Sequence, residues 1–76
     1  MSFQAYLDNI QAKTGQSPGD FRAYAAEKGW TDAGHLRGDV KAGTIVADLK
    51  ERFGLGHGHA MAIVALLKGA KREGDA

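Results

Sequence analysis

Gly54, Gly56 and Gly58 alternate with Leu55 and His57, and an apolar run begins immediately behind them at Ala60. Glycine at this spacing turns a chain sharply and leaves backbone N–H groups free where the next helix starts. Free N–H groups at the positive end of a helix dipole suit an anion such as phosphate. His57 and His59 raise a second chemistry, a metal site, with His35 as a third ligand. Two histidines two residues apart at a helix start point in different directions, unlike the i, i+4 pair that holds zinc on one helical face. With no cysteine in the chain, only these imidazoles and nearby carboxylates remain as ligands, so no metal and no cofactor is expected. One histidine capping backbone or core carbonyls and the other exposed accounts for both. Catalysis finds no support either: Ser2 and Ser17 read as helix caps, and no nucleophile–base pair can be assigned.

Four helices must position these residues. The first runs from about Phe3 to Lys13, with Ser2 as N-cap, an apolar stripe of Phe3, Tyr6, Leu7 and Ile10, and Gly15 as the stop. The second starts at the clearest signal in the chain, Ser17 followed by Pro18 at the first helical position. Asp20 adds negative charge in the first turn. Its buried face is Phe21, Tyr24 and Ala25, and Gly29 closes it before Trp30 folds back as an apolar plug. Residues 31–39 read as a polar connection with room for one helical turn. The third helix spans about Lys41 to Phe53, with Ile45, Val46, Leu49 and Phe53 on one face. The fourth spans about His57 to Lys68 and is apolar nearly all round, which marks a helix central to its fold or buried in an interface. The expected fold is therefore all-α: one small bundle of four short helices, five if the connection holds a turn. Residues 1–69 make one helical domain and 70–76 a frayed charged tail.

The chain has 76 residues and a net charge of +1, near the lower limit of what folds alone. Without cysteine no disulfide can staple it, so core or interface must supply the stability; a cytoplasmic location fits this composition. The N-terminus lacks a basic region followed by a continuous apolar run, and the longest apolar stretch is too short to cross a bilayer. Charge is unevenly spread. Residues 1–34 carry three cations against four carboxylates, and residues 35–72 carry seven against three. The basic half is the half with the glycine turn; ordinary solvated charge is the first reading of this asymmetry and a polyanionic partner the second.

The turn and its flanking helices resemble the helix-hairpin-helix motif, whose hairpin reads Gly, apolar, Gly, three variable residues, Ala, two variable residues, apolar. Gly54, Leu55, Gly56, Ala60 and Ile63 stand at those positions. The resemblance implies that Gly54 and Gly56 permit a tight turn and close backbone approach, that Leu55 plugs the space between the helices, and that Ala60 lets the second helix lie close. It also implies sequence-independent binding to a DNA backbone, since phosphate contacts carry no base information. The motif often places basic residues after the hairpin, whereas this chain has histidines. A similar turn occurs in sterile-alpha-motif-like bundles, which bind proteins, and any short turn between packed helices favours glycine and an apolar plug. Over residues 2–69 the chain also resembles an uncharacterised bacterial family, domain of unknown function 4287. That resemblance is carried by Ser2 to Ile10, Lys13 to Gly15, and Phe53 to Ile63, and it implies a small module without supplying an activity.

The functional expectation is a non-catalytic module that grips a nucleic-acid phosphate backbone through Gly54, Gly56, His57, Gly58 and His59, assisted by Lys50, Arg52, Lys68 and Arg72. The alternative is a protein-interaction or self-association module using the apolar face of the last helix. No membrane partner is expected. Tyr6, Tyr24 and Trp30 could stack on bases, but each lies on or beside an apolar stripe and reads first as core.

Overall fold

The computed structural model describes residues 2–74. Four helices form in chain order: α1 (Phe3–Thr14), α2 (Pro18–Glu27), α3 (Ala42–Phe53) and α4 (His57–Lys68). A two-stranded hairpin, β1 (Thr31–Asp32) and β2 (His35–Leu36), lies between α2 and α3. The helix starts follow the capping residues. Ser2 Oγ accepts the Ala5 N–H at 3.2 Å. At α2 the Ser17 Oγ accepts the Asp20 N–H at 3.1 Å while Asp20 Oδ2 accepts the Ser17 N–H at 2.9 Å, a reciprocal capping box. The main-chain bond from Ser17, then its hydroxyl, hold the Asp20 carboxyl below its ordinary range.

The bundle is assembled on α4, which touches α1, α2, α3 and β2. Its Ala60, Ala62, Ile63, Val64, Leu66 and Leu67 are all buried. Around them pack Phe3, Leu7 and Ile10 of α1, Phe21 and Ala25 of α2, and Ile45, Val46 and Leu49 of α3. A row of edge-on rings ties α2 to α3: Phe53 meets Phe21 and Tyr24 at 5.3 Å each, and Tyr24 meets the buried Trp30 at 5.7 Å. One polar clamp closes that seam. The Tyr24 hydroxyl donates to Asp48 Oδ2 at 2.6 Å, and Lys28 Nζ lies 3.5 Å from the other oxygen of the same carboxylate. Burial first, and then the hydrogen bond to Asp48, push the Tyr24 pKa up. Tyr24 and Trp30 are thus engaged in packing rather than presented as stacking platforms. No helix among the described residues is long and apolar enough to cross a membrane.

The connection after Trp30 differs from expectation. It holds an antiparallel hairpin, not a helical turn, with Thr31 paired to Leu36 and Asp32 to His35. Ala33 (φ 52°) and Gly34 (φ 82°) are both left-handed, as a two-residue type I′ turn requires. Strands of two residues are too short for alternation to show in a sequence, and Ala33 carries none of the Asn or Asp signal that usually marks such a turn. Ala33 is strained at positive φ, so Ala33→Asn is expected to stabilise the domain by about 0.5–1 kcal/mol, read from the urea unfolding midpoint. A fall in that midpoint would contradict the turn geometry.

Of residues 70–76, read from sequence as a frayed charged tail, 70–74 run back to the first two helices, and 75–76 lie outside the described residues. Arg22 Nη1 and Nη2 donate to Glu73 Oε2 and Oε1 at 2.8 and 2.6 Å, and the Gly74 N–H donates to Gln4 Oε1 at 2.7 Å. The Arg22 hydrogen bonds hold the Glu73 carboxyl down to about 2, against an ordinary 4.5. A depressed carboxylate stabilises the docked tail above its unfolded pKa, and that contribution fades as pH falls from 4.5 toward 2. The pair is half exposed, so salt weakens it too. Acid titration followed by the Gly74 amide resonance should show the tail releasing in that window. Release complete above pH 5 would contradict the pairing.

Candidate functional site

The turn between α3 and α4 is built by three residues with different duties. Gly54 ends α3 at φ 67° and ψ 24°, and its N–H donates to the Lys50 carbonyl at 3.1 Å. Leu55 then drops into the core, 2 % exposed. Gly56 returns the chain in an extended conformation (φ −70°, ψ 167°) as the residue before α4. The Gly56 carbonyl accepts the Ala60 N–H at 2.9 Å, and Ala60 itself is fully buried against the bundle.

The start of α4, like that of α3, has no side-chain cap, in contrast to the serine-capped α1 and α2. Gly56 has no side chain to cap with, and the first turn contains no carboxylate. Among the described residues, no carbonyl or side chain accepts from the N–H groups of His57, Gly58 or His59. Every helix has such orphan donors, and most are met by a cap. Here they stand open at an exposed helix end, with the positive end of the dipole uncompensated.

Only one of the three glycines is demanded by its backbone. Gly54 needs its left-handed φ, whereas Gly56 and Gly58 have ordinary φ, and a Cβ at either would meet nothing within 4 Å. The expectation that Gly54 and Gly56 permit close backbone approach is therefore corrected within the chain: open space surrounds both, and Gly54 serves the tight turn alone. Gly56 still serves at the N-cap, where glycine outranks alanine. Gly58, inside the first turn, serves nothing in the fold and lowers helix propensity.

His57 is exposed, and His59 is half-buried with its ring edge-on to Tyr6 at 5.6 Å. The partner of His59 is thus a ring, not the carbonyl expected from sequence. His35 lies in β2, in a cleft it shares with Lys68 at the far end of α4. Among the described residues, no three His, Asp or Glu side chains gather in a metal-holding group.

The basic residues do not converge on one point. Lys50 and Arg52 belong to the last turn of α3, beside Gly54. Being two apart, they do not share a helix face. Arg52 sits on the α2 side, where its charge acts on the Tyr24 hydroxyl. Lys50 is exposed and makes no ion pair among the described residues. Lys68 closes the helix that His57 opens, about 16 Å away along its axis. Arg72 follows at that same distant end, past Gly69, where the Ala70 N–H donates to the Ala65 carbonyl. Lys50 and Arg52 are thus close in sequence to the turn, and Lys68 and Arg72 are not.

The family model described as Domain of unknown function (DUF4287) matches residues 2–69, and the chain belongs to that family. No curated protein and no solved structure matches the chain.

The glycine assignments are open to direct measurement. Gly58→Ala is expected to raise stability by about 0.5–1 kcal/mol, and Gly54→Ala to lower it by about 1–2 kcal/mol. Urea midpoints that moved the other way at either position would refute them.

Proposed function

We propose that this domain is a non-catalytic binding module that holds a nucleic-acid phosphate backbone at the start of α4. The observation that carries this reading is the uncapped first turn, with its open N–H groups and a glycine at position 58 that the fold does not use. A side chain at 58 would cost the fold nothing, but its absence leaves room for a phosphate oxygen to reach the backbone. The likeness of Gly54, Leu55, Gly56, Ala60 and Ile63 to a helix-hairpin-helix supports the same reading, as do Lys50 and Arg52 beside the turn. Lys68 and Arg72 cannot share that phosphate. About 16 Å along α4 separates them from the turn, so they would meet a different phosphate of the same duplex. Such contacts select no base sequence. The setting we propose is the bacterial cytoplasm, where a cysteine-free chain loses nothing by the absence of an oxidising compartment.

Self-association through the apolar face of α4 has less to use. That face is covered within the chain, and Met61, 39 % exposed, is the large apolar side chain that α4 leaves open.

A fluorescence-anisotropy titration with a short duplex, repeated at several salt concentrations, tests the reading. Binding through two to four phosphates predicts affinity falling with salt at a log–log slope of about −2 to −4. Gly56→Asp should abolish the binding while leaving stability equal or slightly raised, because Asp caps the helix and fills the N–H groups with its own carboxylate. Absence of binding at low salt, or unaltered binding by Gly56→Asp, would overturn the proposal.

A further inference from the structure

A cleft of about 340 Å³ opens at the other end of α4, within the size range of small-molecule sites. It is lined by His35 and Leu36 of β2, by Arg37, Gly38 and Val40 of the following segment, and by Lys68. Three nitrogen-bearing residues thus line one space, His35 and Arg37 from the hairpin and the segment after it and Lys68 from the end of α4. Neither His35 nor Lys68 makes an ion pair among the described residues. Arg37 does: its Nε and Nη2 donate to Asp39 Oδ1 and Oδ2 at 3.1 and 3.0 Å. That side-by-side arrangement is how a guanidinium holds a two-oxygen anion. The partners are two residues apart and largely exposed, so water and salt weaken the pair and an incoming anion can replace Asp39 at little cost.

We infer that this cleft binds a phosphate monoester on a compact organic body, and that Asp39 is a tethered competitor for the site. A carboxylate ligand would occupy the Arg37 fork and leave Lys68 and His35 idle. A phosphate has three terminal oxygens and up to two charges, which engages the fork, the ammonium and a ring N–H together. Leu36 and Val40, both half-buried, give the organic body an apolar wall. The hairpin places this wall: its type I′ turn brings His35 and Leu36 back beside Thr31 and Asp32, and the Arg37 N–H is fixed by the Trp30 carbonyl at 2.9 Å. The cleft uses none of the residues of the α3–α4 turn, although Lys68 also belongs to the distant cations that a bound duplex would meet, so the turn and the cleft are told apart by residues 35–40 and 56–59 rather than by Lys68.

The test is an amide NMR titration of the full chain with inorganic phosphate, adenosine, adenosine monophosphate and a short oligonucleotide with or without a 5′-phosphate. Adenosine monophosphate should shift the amides of residues 35–40 and of Lys68, more tightly than inorganic phosphate, and adenosine should not. Asp39→Asn should tighten binding severalfold by freeing Arg37, and Lys68→Gln should weaken it about tenfold through loss of a charge-assisted bond. Both positions are exposed, and unchanged spectra of the free variants confirm their folds. Shifts with the 5′-phosphorylated oligonucleotide and not with the monophosphate would identify the end of a nucleic acid as the source of the phosphate. No shift at 35–40 with any phosphate at millimolar concentration would overturn the inference, as would equal binding of adenosine or unaltered affinity in Asp39→Asn. Gly56→Asp should leave these shifts intact, which separates failure here from failure at the turn.

Discussion

The burial of α4 is the constraint on which the rest of the structure depends. A chain of 76 residues without disulfides has little apolar surface to spare, and this helix commits nearly all of its own. The three other helices and β2 all lean on it. Ala60 and Ile63 face neighbours that leave no slack, and Leu55 pins the point of entry. A helix held on so many sides cannot slide or rotate without opening the core. Its two ends are consequently fixed in space, and apart from Met61 they carry its exposed residues.

Those ends share a positive character for different reasons. At the N-terminus it comes from backbone N–H groups and the helix dipole, with no carboxylate in the first turn to offset them. At the C-terminus it comes from side chains, Lys68 with Arg37 across the cleft. Several carboxylates of the domain are occupied elsewhere: Asp20 in a capping box, Asp48 in the α2–α3 clamp, Glu73 on Arg22. The cations of residues 35–72 therefore do not form a single patch: Lys50 and Arg52 lie in the last turn of α3 before the start of α4, and Arg37 and Lys68 line the cleft at its other end.

The helices were legible because each carries its own punctuation. Ser2, Ser17, Pro18, Gly15 and Gly54 are local signals, satisfied by atoms within four residues, and the structure places helix ends within a residue or two of where they point. The apolar completeness of α4 likewise announced a central helix. The hairpin was not legible, since two-residue strands leave no alternation and Ala33 is an uncommon occupant of a left-handed position. The separation of Lys68 from the turn was present in the sequence as helix length, but grouping by charge obscured it. The cleft around Arg37 and Val40 depends on the hairpin, so it was hidden for the same reason. The contact between His59 and Tyr6 needed the packing of α1 against α4, which no local signal encodes.

The central claim is that open N–H groups at the start of α4 receive a phosphate. The most direct measurement is an amide NMR titration of the domain with a short DNA duplex at low salt. The account predicts the largest shifts at His57, Gly58 and His59, smaller ones at Gly54 and Lys50, and their loss as salt is raised. Silence of the residue 56–59 amides while the duplex binds, or shifts confined to another face, would contradict it.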